Sequence, residues 1–174
     1  MKIALTGAHG VGKSTLVGLI GERFNLSVID NISSNIIINN PNTPTDEIQT
    51  MIVNQYLDIF NNQDNFISAR GVNDIIAYTQ FLQITPATRL LLLEQIKQSM
   101  PKDLVQLYIP IKYKLTTHNN PTRMNYGQSD IDVIIRELGY NYKIESVDVG
   151  ERLDEISDII RQHYKIPYNF EKVV

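Results

Sequence analysis

Apolar and polar positions along this chain switch repeatedly between a strand-like and a helix-like period. Lys2 to Thr6 reads as a short buried strand, and Lys13 to Phe24 sets Leu16, Leu19, Ile20 and Phe24 on one face at helical spacing. Together they give strand, glycine loop, helix. Leu26 to Ile29 predicts a second strand ending at Asp30, after which Ile36-Ile37-Ile38 and Asn39-Asn40 form a helix or irregular turn that Pro41 terminates. Thr45 is a candidate N-cap for a long helix with Ile48, Ile52, Tyr56, Ile59 and Phe60 as its apolar stripe, ending near Asn61-Asn62. Asn65 to Ala69 predicts a third strand. Asn73 to Leu82 predicts a helix that packs through Ile76 and Tyr78, and Thr88 to Met100 another before Pro101. Leu104 to Ile109, bounded by Pro110, has the unbroken apolar character of a fully buried strand. The polar stretch Lys112 to Gly127 precedes a helix from Ser129 to Leu138 that Gly139 ends. Lys143 to Val149 predicts the fifth strand, and Glu151 to Tyr164 a closing helix with Leu153, Ile156, Ile159 and Ile160 along one face.

Short strands alternating with longer helices predict an α/β protein, a five-stranded parallel sheet covered by helices on both faces. No repeat, low-complexity tract or linker interrupts the pattern, and 174 residues with 43% hydrophobic content suffice for one core but not two. A single domain over residues 1–174 is therefore expected. The polar tract Thr116 to Gln128 is expected to be a loop of that domain, a lid over approximately residues 116–128.

Charge removes some function classes. The formal net charge is −3, and the 16 Lys and Arg residues are scattered, with no basic block to hold a polyphosphate. Stable nucleic-acid binding is not expected. Cys is absent, which excludes a disulfide framework, a thiolate metal site and a thiol nucleophile. The apolar run Ile3-Ala4-Leu5 is far shorter than a signal-peptide core or a spanning helix, so the reading is a cytoplasmic protein without membrane attachment.

The chemistry is concentrated in Gly7-Ala8-His9-Gly10-Val11-Gly12-Lys13-Ser14-Thr15, which matches G-x-x-x-x-G-K-[ST] after a strand and before a helix. Glycines admit positive φ, so successive backbone N–H groups turn inward as an anion nest. Lys13 is placed to reach the β and γ phosphates of a nucleoside triphosphate, the helix N-terminus adds its dipole, and the Ser14 hydroxyl can ligate Mg2+. The motif recurs by chance in roughly one chain of this length in a hundred, before its flanking elements are required. His9 occupies a variable position of the loop and reads as a loop side chain, not a catalytic base.

From Met1 to about Arg161 the chain resembles small P-loop kinases of the thymidylate kinase and nicotinamide riboside kinase-like branch. Besides the P-loop, three segments carry the resemblance. Phe66 to Tyr78 is similar to the family's strand ending in Asp-Arg and the helix bearing Asp and Ala-Tyr. Pro101 to Ile109 is similar to its Pro-Asp-Leu entry and strand. Asn120-Pro121-Thr122-Arg123, Asp130-Ile131-Asp132 and Gly150-Glu151-Arg152 resemble its lid arginine and final helices.

The resemblance implies an ATP- and Mg2+-dependent phosphotransferase acting on a nucleoside monophosphate or a nucleoside. By position, Arg70 would contact the acceptor's phosphate or the transferring group, and Arg123 would neutralise charge on the γ-phosphoryl. Arg152 would join the nucleotide site. A planar guanidinium suits such roles because its fork binds two phosphate oxygens at once. Related kinases often pair through helices flanking the third strand, so a homodimer is one assembly the resemblance allows. The chain departs from the pattern at Ala69, where the family carries Asp, and at Asn119 to Thr122, which lacks the acidic-Gly lid sequence. Asp30 is the replacement acid, holding Mg2+ through water or accepting the acceptor hydroxyl's hydrogen bond, with Asp74 second and readable also as a helix N-terminal charge. The rival reading is a P-loop nucleotide-binding switch or weak NTPase without kinase activity.

Overall fold

The computed structural model describes residues 1–112 and 127–167. In chain order the elements are β1 (Lys2–Thr6), α1 (Lys13–Phe24), β2 (Ser27–Ile29), α2 (Ile32–Asn39), α3 (Thr45–Asn62), β3 (Phe66–Ser68), α4 (Val72–Phe81), α5 (Pro86–Ser99), β4 (Val105–Tyr108), α6 (Gln128–Leu138), β5 (Tyr142–Lys143) and α7 (Val149–Tyr164). The sheet runs β2-β3-β1-β4-β5 with every pair parallel. The predicted α/β class and five-stranded parallel sheet are met.

Alternation along the strands sends neighbouring side chains to opposite faces. Ile3, Leu5, Ile67, Val105 and Leu107 join a core layer with Leu16 and Ile20 of α1, Ile131 of α6 and Ile156 of α7. Ala4 and Phe66 face the other way, into a second layer with Tyr56 and Phe60 of α3, Ile75 of α4 and Ile96 of α5. Helices thus cover both faces, and the parallel strands deliver their C-terminal ends to one edge, where ligand crevices of such sheets open.

Among the boundaries that differ from the periodic reading are those of α3, α5 and β5. Thr45 is the first helical residue of α3 and Pro44 the cap position. Helix α5 starts at Pro86, with Thr85 as the cap whose hydroxyl accepts from the Thr88 N–H; a fixed φ makes proline well suited to that first turn. Strand β5 stops at Lys143, far short of Val149. The Glu155 carboxylate of α7 reaches back to accept the N–H groups of Glu145 and Ser146, both at 2.9 Å, so a side chain satisfies amides that a longer ladder would have used. Asp148 then caps α7 by accepting from the Gly150 N–H. Among the described residues no helix is long and apolar enough to cross a membrane.

Candidate functional site

The turn from β1 into α1 is built on left-handed glycines, with φ of 151° at Gly7, 80° at Gly10 and 91° at Gly12. Gly7 has a steric reason as well: a Cβ there would collide with the Ile109 carbonyl beyond β4. Ala8 and Val11 are buried beneath the turn, whereas Gly10, Gly12, Ser14 and Thr15 are exposed along its mouth. The result is a loop anchored below and open above, ending on the N-terminus of α1.

Lys13, the first residue of α1, folds back over this loop. Its ammonium donates to the carbonyls of Gly7 and, at 2.8 Å, of Ala8, and it lies 3.6 Å from Asp74 Oδ1. Only 10% of the side chain is exposed. Burial pushes the ammonium down to about 8; the Asp74 carboxylate opposes that shift and the Arg70 guanidinium adds to it. Asp74 is fully buried. Its Oδ1 accepts from the Gly7 N–H at 3.3 Å and its Oδ2 from the Gly71 N–H at 2.9 Å, tying α4 to the loop. The sequence presents Asp74 as a helix N-terminal charge; the structure adds the contacts to Gly7 and Lys13, which only the packing of β3 beside β1 creates.

Asp30 follows β2 directly, and its carboxylate accepts from the Asn31 backbone N–H at 2.8 Å and side-chain amide at 3.3 Å. Arg70 follows β3 across a bend held by Ser68, whose hydroxyl donates to the Arg70 carbonyl at 2.7 Å. The Arg70 guanidinium stands 4.6 Å above the Tyr78 ring, and the Tyr78 hydroxyl is 3.2 Å from His9 Nδ1. His9 thereby links the loop to α4. The first residue of α6, Gln128, donates from its side-chain amide to the His9 carbonyl at 2.9 Å, a contact with no signature in the sequence.

Lys13, His9, Asp30, Arg70 and Tyr78 meet on one cavity of about 400 Å3. Its loop end carries His9, Gly10, Gly12, Lys13, Ser14 and Thr15, Asp30 and Arg70 stand at the strand ends, and Ala69 lines the position between them. Gln49, Ile52 and Tyr56 of α3 and Ile75 and Tyr78 of α4 also line it. Arg152 lies outside this lining. Its Nη1 donates to the Val11 carbonyl at 2.9 Å and its Nε to the Ser146 carbonyl at 3.0 Å, so it braces the loop from α7. Arg123 and all but the end of the expected lid lie outside the described residues.

The turn fits a triphosphate by its open glycine backbone, its lysine and its helix terminus. Among the described residues no three His, Asp or Glu side chains converge as a metal cage. A divalent ion here would draw oxygens from its ligand as well, as Mg2+ characteristically does beside phosphates, with Ser14 and Asp30 as the protein donors on the cavity.

No protein-family model matches the chain, and no curated protein matches its sequence. Solved structures do match. A deoxyadenosine kinase from M. mycoides, solved with dCMP and a flexible dCDP, superposes with a TM-score of 0.68 at 11% identity over 94% of this chain and 100% of that one. Thymidylate kinase from Candida albicans gives 0.63 at 14% identity over 93% and 91%. The NadR protein in complex with NR gives 0.70 at 12% identity, over 98% of this chain and 53% of NadR. The fold is that of the P-loop kinases.

The depressed Lys13 ammonium has two opposite consequences. A triphosphate on this loop would need the charged form, so any MgATP affinity of the free protein is expected to hold below pH 8 and to decline above it, by at most about tenfold per pH unit. Stability moves the other way. Between pH 8 and the ordinary lysine value of 10.5 the unfolded chain binds the extra proton, so the contribution of Lys13 to stability rises with pH across that window. Calorimetric titrations at stepped pH check this. Lys13→Arg, which stays charged, should remove the decline; an identical decline in that variant would contradict the assignment.

Proposed function

We propose that the chain, as one kinase-like domain, transfers the γ-phosphoryl group of MgATP to a nucleoside or nucleoside monophosphate. The observation that carries this is the shared cavity: P-loop residues, Asp30 and Arg70, and the side chains of Gln49, Ile52, Tyr56, Ile75 and Tyr78 all line it. A site for hydrolysis alone has no use for a cavity that extends from the phosphate loop to side chains of α3 and α4. Phosphoryl transfer asks mainly for alignment and charge neutralisation, which a cradle, a lysine and an arginine supply.

In this reading the Gly7 to Thr15 backbone and Lys13 hold the triphosphate, with Arg152 fixing the loop through Val11. Ser14 would ligate Mg2+, and Asp30 would hold it through water. The acceptor oxygen forms its bond to the γ phosphorus as the bond to the β-bridging oxygen breaks and ADP leaves. Where the acceptor is a hydroxyl, Asp30 takes its proton. Arg70, steadied on Tyr78, orients the acceptor or the transferring group, and Arg123 contributes from the lid. The alternative, a nucleotide-binding switch or weak NTPase, draws support from Ala69, which leaves the end of β3 without a carboxylate. MgATP with a panel of nucleosides and nucleoside monophosphates separates the two: a kinase makes ADP in proportion to one acceptor, and a switch makes none or makes it regardless of acceptor.

A further inference from the structure

Asp74 has no exposed surface and does not line the cavity, yet it is the carboxylate nearest to the Lys13 ammonium. Helix capping accounts for only half of it. Oδ2 receives the Gly71 N–H, the reciprocal contact of a helix start, but Oδ1 points away from α4 to the Gly7 N–H and to Lys13 Nζ. One buried carboxylate thus binds the opening peptide of the loop and faces the cation the loop contains. Among the described residues, the other charged groups acting on Lys13 are Arg70 and Asp30, both on the cavity side, whereas Asp74 faces the ammonium from within the protein.

We propose that Asp74 is a positioning residue for triphosphate binding: it fixes the Gly7 peptide and holds the Lys13 ammonium in place over the loop, acting on the nucleotide only through them. This rests on the reading of the loop as a triphosphate site. In the structure the ammonium is held by the Gly7 and Ala8 carbonyls and Asp74 together. Phosphate oxygens would take over from the two carbonyls, while the carboxylate remains as the counter-charge that makes a lysine tolerable at this depth. Asp74 needs no contact with the ligand for this.

A double-mutant cycle on the full chain tests it, with MgATP dissociation constants and melting temperatures measured for wild type, Asp74→Asn, Lys13→Met and the double variant. Asp74→Asn keeps the shape and loses the charge. It is expected to weaken MgATP binding roughly tenfold or more, and to add little to the loss already caused by Lys13→Met. In melting temperature the sign should reverse: with Lys13 replaced, Asp74 is a buried charge without a partner, and Asp74→Asn should then stabilise the protein. Unchanged MgATP affinity in Asp74→Asn overturns the proposal, as does a double variant less stable than Lys13→Met. If Asp74→Asn alone does not fold, the comparison of those two Lys13→Met proteins decides by itself. A wild-type protein that binds no MgATP but shows the reversed sign in melting temperature overturns the triphosphate reading, not the pairing of Asp74 with Lys13.

Discussion

Lys13→Ala should weaken MgATP binding roughly a hundredfold or more, the scale for truncating one member of a desolvated charge pair, and should abolish turnover with it. From the sequence alone the substitution is neutral for the fold, because the partner of this lysine is taken to be the ligand. The structure gives the ammonium protein partners as well, two loop carbonyls and Asp74 at 3.6 Å, in a side chain only 10% exposed. A drop of several degrees in melting temperature should therefore accompany the lost affinity, with the cooperative transition intact. Titration calorimetry and a thermal melt on the same preparation read both. Wild-type affinity in the variant would remove the P-loop from the account, and wild-type stability would remove its pairing with Asp74.

Asp30→Asn should separate binding from chemistry. Acceptor-dependent turnover is expected to fall by about a hundredfold or more, the usual scale for a general base or metal-orienting group, while MgATP affinity changes little. Asp30 stands on the cavity at the end of β2, whereas Asp74, the other acid near Lys13, is sealed beneath the loop. Of these two it alone can meet a ligand. The carboxylate is held by the Asn31 backbone and side-chain amides, and an asparagine can accept the same backbone bond, so the variant changes charge with little change of shape. Turnover at saturating acceptor, measured beside the MgATP dissociation constant, reads the split. Full turnover in Asp30→Asn would make the residue scaffold.

The fold and the phosphate loop were legible in the sequence because both are local signals. Periodicity marked the strands, and the run from Gly7 to Thr15 is contiguous, so no tertiary knowledge was needed to recognise it. Asp30 was within reach for a related reason, since parallel strands deliver their ends to one crevice of a sheet, whereas Arg70 was reached only through the family resemblance. What stayed hidden depends on packing between distant segments. Strand β5 looked longer because nothing around Lys143 reveals that Glu155 captures the next amides. Asp74 looked like a helix-end charge because its contacts with Gly7 and Lys13 exist only once β3 lies beside β1. The hold of Gln128 on His9, the stacking of Arg70 on Tyr78 and the brace from Arg152 to Val11 are likewise properties of the assembled site.

In the proposed function, this cavity joins a triphosphate to a second ligand and passes a phosphoryl group between them. The most direct test is ADP formation by the wild-type chain with MgATP, measured across a panel of nucleosides and nucleoside monophosphates and accompanied by identification of the phosphorylated product. ADP release is expected to saturate with one acceptor class and to yield one phosphorylated acceptor per ADP. ADP formation indifferent to every acceptor, or none at all from a protein that binds MgATP, would contradict that function and leave the nucleotide-binding switch in its place.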